Sequence, residues 1–358
     1  MHRPGENSPK FHDHGGGGRR DVRDLPKAHL HLHFTGSMRP ATLRELADRH
    51  DVRLPDVLLG RQPPALTTEL TATDERGWFR FQRLYDIARS VIRTPDDVRR
   101  LLHEAAEDER ADGSGWLEIQ VDPTTYARWL GGLTPTVELI LSAAREASAA
   151  TGVGVAVVLA ANRTLHPLDA RTLARLAGQY VGRGVVGFGL SNDERRGHAR
   201  DFSRAFAIAR DAGVPAVPHG GELAGARSVR ECFEDLRATR IGHGVRCVEE
   251  PELVRDLARA GVVLEVCPAS NVALGVVPKA ADVPLPALRE AGVAVALGAD
   301  DPLLFGSRLA DQYELVRDVH GCSDQELAEL ARASIRGSFA PEEVKTRLLS
   351  GVDAWLAS

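Results

Sequence analysis

The stretch AHLHLHFTG, residues 28–36, decides the fold. In an extended strand, residues two apart project from one face. His29, His31 and His33 are therefore expected along one side and Leu30, Leu32 and Phe34 along the other. Two imidazoles about 6–7 Å apart on rigid backbone can turn their nitrogens onto one metal ion. An isolated HxH in a strand also occurs as a satisfied histidine pair that binds nothing. What separates the two readings is whether further ligand-type residues recur downstream at the ends of other strands.

They do. Seven more apolar runs follow the first strand (28–34), at 116–122, 153–161, 185–192, 214–221, 240–244, 262–268 and 293–301. Runs such as VGVAVVLAA, residues 153–161, have no polar face, which is the pattern of parallel strands buried on both sides. Amphipathic Ala-, Arg- and Leu-rich segments lie between them at 95–112, 134–150, 169–181, 199–212, 251–260 and 286–291. Alternation of this kind predicts an α/β chain folded as a (β/α)8 TIM-type barrel with extra helices after strand 1 and at the C-terminus. No GxGxxG follows the first strand, which argues against a dinucleotide-binding sheet.

The chain has 358 residues, 43% of them hydrophobic, enough for one large core. Residues 1–22, rich in Gly, Arg and His, read as a disordered tail, and 23–358 as a single domain. The segment 40–94 is too long for one crossover. It contains an aromatic helical stretch at 78–92, placed by barrel geometry on the catalytic face as a possible lid or as extra packing. A net charge of −5 gives no electrostatic footprint for nucleic acid. There is no apolar run of membrane-spanning length and no signal-peptide pattern. Cys232, Cys247, Cys267 and Cys322 lack CxxC spacing and are expected to be free thiols, which fits a cytoplasmic protein.

The polar clusters fall where barrel active sites are built, at strand C-terminal ends. PHGGE (218–222) follows the fifth strand, RIGHG (240–244) forms the sixth, and GADDP (298–302) ends the eighth. His31, His33, His219 and Asp300 make a three-imidazole, one-carboxylate set suited to one zinc or a similar divalent ion. Such an ion lowers the pKa of a bound water to roughly 7. His243 is expected as a base or a clamp on that water, Glu222 as an acid, and Asp301 as a hydrogen-bonding group for substrate. Cys267 reads as a small buried apolar residue, and Ser270 and Asn271 as pocket-rim or backbone-satisfying groups.

Six motifs in order, LPKAHLHLHFTGS, VVGFGLSNDE, PHGGE, RIGHG, EVCPASN and LGADDP, resemble those of the adenosine deaminase family, a branch of the metal-dependent amidohydrolase-like barrels. The resemblance runs from Leu25 to about Leu349. It implies zinc on His31, His33, His219 and Asp300, with His243 and Asp300 activating the water that attacks purine carbon 6. It also implies that Glu222 protonates ring nitrogen 1, Asp301 bonds nitrogen 7, and backbone near Asn192 meets nitrogen 3. A proton on Glu222 requires a pKa raised by burial.

Several positions depart from the family pattern. Thr35 stands where the family has an acid for the sugar 5′-hydroxyl. Gly189 replaces an acid, Asn192 a glycine, and His29 a Glu, the last expected to be structural. Exchanging a carboxylate for a neutral hydroxyl weakens the demand for a 5′-hydroxyl. The expected substrate is therefore adenosine or a 5′-modified adenosine such as 6-amino-6-deoxyfutalosine, whose carboxylate Arg80 or Arg83 could meet. Deamination of free adenine is the alternative. It requires a crowded wall where sugar would sit, and the small Thr35 and Gly189 argue for room instead. A non-catalytic purine-binding barrel is disfavoured because every ligand and acid is present.

Overall fold

The computed structural model describes residues 19–60 and 75–358. Eight parallel strands form one sheet in sequence order: β1 (Lys27–His33), β2 (Ser114–Val121), β3 (Gly154–Asn162), β4 (Val185–Ser191), β5 (Ala216–Gly220), β6 (Arg240–His243), β7 (Val263–Val266) and β8 (Ala294–Leu297). The ring closes through a parallel bridge between Leu32 and Asp300. There the His33 amide donates to the Asp300 carbonyl, and the Asp300 amide to the His31 carbonyl, both at 3.0 Å. The fold is the (β/α)8 barrel, and its last seam is tied by a residue of the candidate site.

Helices wrap the strands. The segment after β1 carries α1 (Pro40–Arg49), α2 (Asp56–Leu59) and α3 (Glu75–Arg89), followed by α4 (Pro95–Ala111). Then come α5 (Leu133–Thr151), α6 (Pro167–Gln179), α7 (Ser203–Asp211), α8 (Ala226–Glu234), α9 (Pro251–Ala260), α10 (Pro268–Ala273), α11 (Leu285–Glu290) and α12 (Pro302–Phe305). Last are α13 (Leu309–His320), α14 (Asp324–Gly337) and α15 (Glu342–Ala357). Helix α4 starts where the sequence writes it: Thr94 caps the Asp97 amide while Asp97 returns a bond to Thr94, ahead of Pro95. Helix α8 has no counterpart in the sequence reading. It is nine residues long and its apolar positions, Val229, Cys232 and Phe233, are too few to show a period.

Two expectations change. The chain is already docked at residues 19–22, inside the stretch read as tail. Val22 is fully buried, the Arg20 guanidinium pairs with Asp324 at 3.1 Å, and the Trp355 indole donates to the Asp21 carbonyl. Residues 1–18 lie outside the described residues. The alternation of β1 is also interrupted. His29 to Leu32 spans three residues against two from Leu117 to Ile119 on β2, so β1 carries an extra residue. Such a bulge re-aims side chains next to a site. His29 accordingly leaves the other two histidines. Its Nδ1 pairs with Glu109 on α4 at 2.7 Å, and its Nε2 accepts from the Ala299 amide at 2.9 Å. It is structural, as its position along the strand implied.

Helix α3 presents Trp78, Phe81, Gln82, Tyr85 and Arg89 to the mouth of the barrel, one face at helical spacing. Phe81 stacks on Phe305 of α12 at 5.7 Å, which seats the helix over the site. Arg80 and Arg83 lie on the opposite, exposed face. They cannot meet a substrate carboxylate in the pocket, and that expectation is withdrawn. The part of the insertion at 61–74 lies outside the described residues. Among the described residues, no helix is long and apolar enough to cross a membrane. All four cysteines are free and buried.

Candidate active site

The C-terminal ends of β1, β5, β6 and β8 bring His31, His33, His219, His243, Asp300 and Glu222 to one point. β5 and β6 are in register at His219 with Gly242 and Gly220 with His243, which sets the two histidines at neighbouring heights. Gly242 is required there, since a Cβ would lie 2.7 Å from the His31 ring. Gly36 serves likewise on the other side, where a Cβ would meet the Asp301 carboxylate at 1.8 Å. His243 and Asp300 both adopt left-handed backbone, with φ of 60° and 61°. Non-glycine residues held this way cost about 1–3 kcal/mol each and concentrate at functional sites.

The donor atoms stand close enough to share one ion. His33 Nε2 lies 3.1 Å from His219 Nε2 and 3.2 Å from Asp300 Oδ1, and His31 Nε2 lies 3.5 Å from the same oxygen. Donors each about 2.0–2.1 Å from one zinc stand roughly 3–3.5 Å apart, so these separations suit a shared ion. His31 Nε2 is buried with no hydrogen-bond partner, which suits a ligand atom. Charge points the same way. Burial alone would lower the His31 pKa, yet the adjacent Asp300 and Glu265 carboxylates raise it to about 10, so the cluster favours positive charge at its centre. His219 stays neutral, held well below the usual range by burial and its neighbouring histidines.

Behind the donors stands a buried support. His31 Nδ1 pairs with Glu265 at 2.7 Å, Arg240 bridges Glu265 and Glu118 at 2.7 and 2.6 Å, and all four side chains are at most 1% exposed. A Glu265 bond fixes the imidazole with its proton on Nδ1 and Nε2 toward the centre. Ser270 donates to Asp300 Oδ2 at 2.6 Å, which orients that carboxylate.

The proton-handling groups are separated by environment. Burial pushes the His243 imidazole down to about 3, so it is neutral at ordinary pH. Its Nε2 is 3.5 Å from Glu222 Oε1 and 3.9 Å from Asp300 Oδ2. Burial first, then the Asp300 and Glu194 carboxylates, hold Glu222 well above the ordinary carboxylate range. Burial and Asp300 do the same to Asp301, whose Oδ1 is buried without a partner. Asp300 goes the other way. Burial opposes its charge, but hydrogen bonds from His31 and His33 hold it well below the ordinary range. Of three neighbouring carboxyl groups, the environment pushes one down and two up, a division typical of acid–base sites.

These groups open into one pocket of about 710 Å3, measured out to its mouth. Its walls come from α3 and from Gln120, Asp122, Tyr126 and Asn192. The model of the adenosine deaminase family matches residues 26–355. The chain belongs to that family.

A putative adenosine/adenine deaminase of Streptomyces coelicolor is 67% identical over 95% of this chain and 99% of its own length. An adenine deaminase of Rhizobium leguminosarum is 35% identical over 91% of this chain and 98% of its own. The crystal structure of an adenine deaminase from Arthrobacter aurescens superposes with a TM-score of 0.83 at 31% identity, covering 93% of this chain and all of that one.

Within this deaminase barrel, His33, His219, Glu222, His243, Asp300, Asp301 and Asn192 line the pocket, with His31 just beneath. Asn192, where the family pattern has glycine, keeps a left-handed φ of 81°, and its side-chain oxygen accepts from the Asp193 amide at 2.8 Å. Thr35 and Gly189 do not line the pocket. Thr35 is fully buried, with its hydroxyl 2.5 Å from that of Tyr126. A Cβ on Gly189 would be 3.2 Å from Ala160 and 3.3 Å from the Val217 carbonyl, so that position is filled as well. The room inferred from two small residues is absent, because tyrosine and neighbouring strands occupy it. Sequence reasoning missed Gln120, Tyr126, Tyr85 and Arg89. Gln120, at the end of β2, obeys the strand-end rule and could have been found. The tyrosines reach the site only through the packing of α3 and of the turn after β2.

Proposed function

We propose that this chain removes the 6-amino group of free adenine hydrolytically, giving the 6-oxopurine and ammonia. The observation that carries the choice of substrate is the Thr35–Tyr126 contact. Where a sugar hydroxyl would need an acceptor, the threonine hydroxyl is already engaged by a tyrosine, with Tyr85 and Arg89 beside it in the wall. This contact supports the crowded wall that the adenine reading requires. The names of the relatives support it.

His31, His33, His219 and Asp300 would hold one zinc ion, which supplies Lewis acidity and an acidified water. The protein's own groups do the rest. Neutral His243 and ionised Asp300 face the approach of the water to carbon 6 and take up its proton. Glu222, carrying a proton, donates to ring nitrogen 1 as carbon 6 becomes tetrahedral, which spares the ring a full negative charge. Asp301, also protonated, can donate to nitrogen 7, a position that only accepts. The proton taken from the water passes to the exocyclic nitrogen, which leaves as ammonia with the bonding pair, and carbon 6 keeps the oxygen, whose remaining proton returns to Glu222.

Adenosine is the second reading, which the printed name of the Streptomyces coelicolor relative also carries. The two are separated by kcat/KM measured on zinc-loaded protein with adenine and adenosine side by side. Adenine is expected to win by at least about 10-fold, the discrimination expected of a site with no partner for a ribose hydroxyl. A preference for adenosine overturns the substrate assignment and returns the 5′ contact to groups other than Thr35.

A further inference from the structure

The end of β5 and the turn after it carry two functional groups three residues apart, His219 and Glu222, with Gly221 between them at a φ of 74°. The β5–β6 ladder reaches Gly220, and the Arg246 amide donates to the Gly221 carbonyl at 3.2 Å. Two further buried, oppositely charged side chains bond to main-chain groups here. Arg163, directly after β3 and 2% exposed, donates from Nη2 to the His219 carbonyl at 2.6 Å and from Nη1 to the Gly197 carbonyl at 3.2 Å. Glu194, just past β4 and 3% exposed, accepts from the Ala224 amide at 2.6 Å and from the Glu222 amide at 3.3 and 3.4 Å through its two oxygens.

We infer that Arg163 and Glu194 are positioning residues for the deamination site, gripping the 219–224 turn from both ends so that His219 and Glu222 address the same point. Arg163 fixes the backbone of the metal-ligand histidine, and Glu194 fixes the backbone of the proton donor. Neither touches substrate. The inference rests on Glu222 being that donor. Several features mark the pair as more than packing. Both side chains bond main-chain groups of the 219–224 stretch, and Arg163 ties it to the Gly197 carbonyl as well. Gly197 is also needed for the close approach, since a Cβ there would lie 2.3 Å from the Arg163 carbonyl. Charged hydrogen bonds to main-chain groups are among the stronger and more directional available to a protein.

The test is Glu194→Gln, which keeps the shape and one acceptor oxygen but removes the charge and replaces the second oxygen by an amino group that cannot accept from the Glu222 amide. It is compared with wild type on whichever 6-aminopurine wild type turns over, so an error in the substrate assignment does not affect it. The expected result is a kcat lower by about 10- to 100-fold, the scale of a sub-ångström to 1 Å misplacement, with KM within about 2-fold. Zinc content and thermal midpoint should stay at the wild-type values. Arg163→Lys, whose single ammonium cannot span both carbonyls, is expected to weaken zinc binding by about 10-fold in a chelator competition, read without any turnover. An unchanged kcat per folded molecule in Glu194→Gln together with unchanged zinc affinity in Arg163→Lys overturns the inference. So does a loss of activity that merely follows a loss of folded protein in both.

Discussion

Glu222→Gln lowers kcat by about 10^3-fold, within the 10²–10⁴ that a positioned general acid contributes, while KM and bound zinc stay near wild type. Glutamine fills the same volume and keeps a hydrogen-bonding group toward ring nitrogen 1, but has no proton to give. The pH profile identifies the role independently. Burial and the nearby Asp300 and Glu194 carboxylates raise the pKa of Glu222, so its proton persists above the usual carboxylate range and is lost only as pH climbs further. Activity of the wild type therefore falls on the alkaline side as Glu222 ionises, and the residual activity of Glu222→Gln lacks that limb. Steady-state kinetics of the two proteins across pH checks both points. A variant with full activity, or an alkaline limb that survives the substitution, removes Glu222 from the role.

His33→Ala abolishes tight zinc binding, and turnover with it. His33 is the informative ligand to remove. Its side chain is 15% exposed, whereas His31 is sealed in and its loss would take the imidazole partner from Glu265 Oε2. Breaking a buried pair by deleting one partner costs about 3–5 kcal/mol and would confuse unfolding with metal loss. His33 has no such partner behind it. It faces His219 and Asp300 across the centre, so its removal opens one position of the donor set and little else. Loss of a supporting group typically weakens metal binding about 10–100-fold, and loss of a direct ligand is expected to exceed that. Chelator competition followed by circular dichroism checks that the protein remains folded while its affinity collapses. Retention of wild-type affinity would place the ion elsewhere.

Much of this molecule was legible in its sequence because the information was local. Buried parallel strands write themselves as unbroken apolar runs, and a barrel puts its chemistry at strand ends. All eight strands and the groups His31, His33, His219, Glu222, His243, Asp300 and Asp301 followed from those two rules and from motif order. What the sequence withheld depends on distant pairs. The extra residue in β1 that sends His29 to Glu109 is invisible in a string that still alternates. Thr35 reads as a small residue leaving space until Tyr126, 91 positions away, is seen lying against it. Arg80 and Arg83 were judged by composition, and the phase of α3 turned them outward while bringing Arg89 in. Arg163 lies outside the quoted motifs, and Glu194 closes VVGFGLSNDE without that string naming its partner. Their function is defined only by the turn they grip.

The measurement that bears most directly on a single-ion deaminase is a zinc titration of chelator-stripped protein with adenine turnover followed at each addition. Turnover should rise from near zero to a plateau at one ion per chain, set by His31, His33, His219 and Asp300. Full turnover by metal-free protein, or a plateau reached only at two ions per chain, would contradict it.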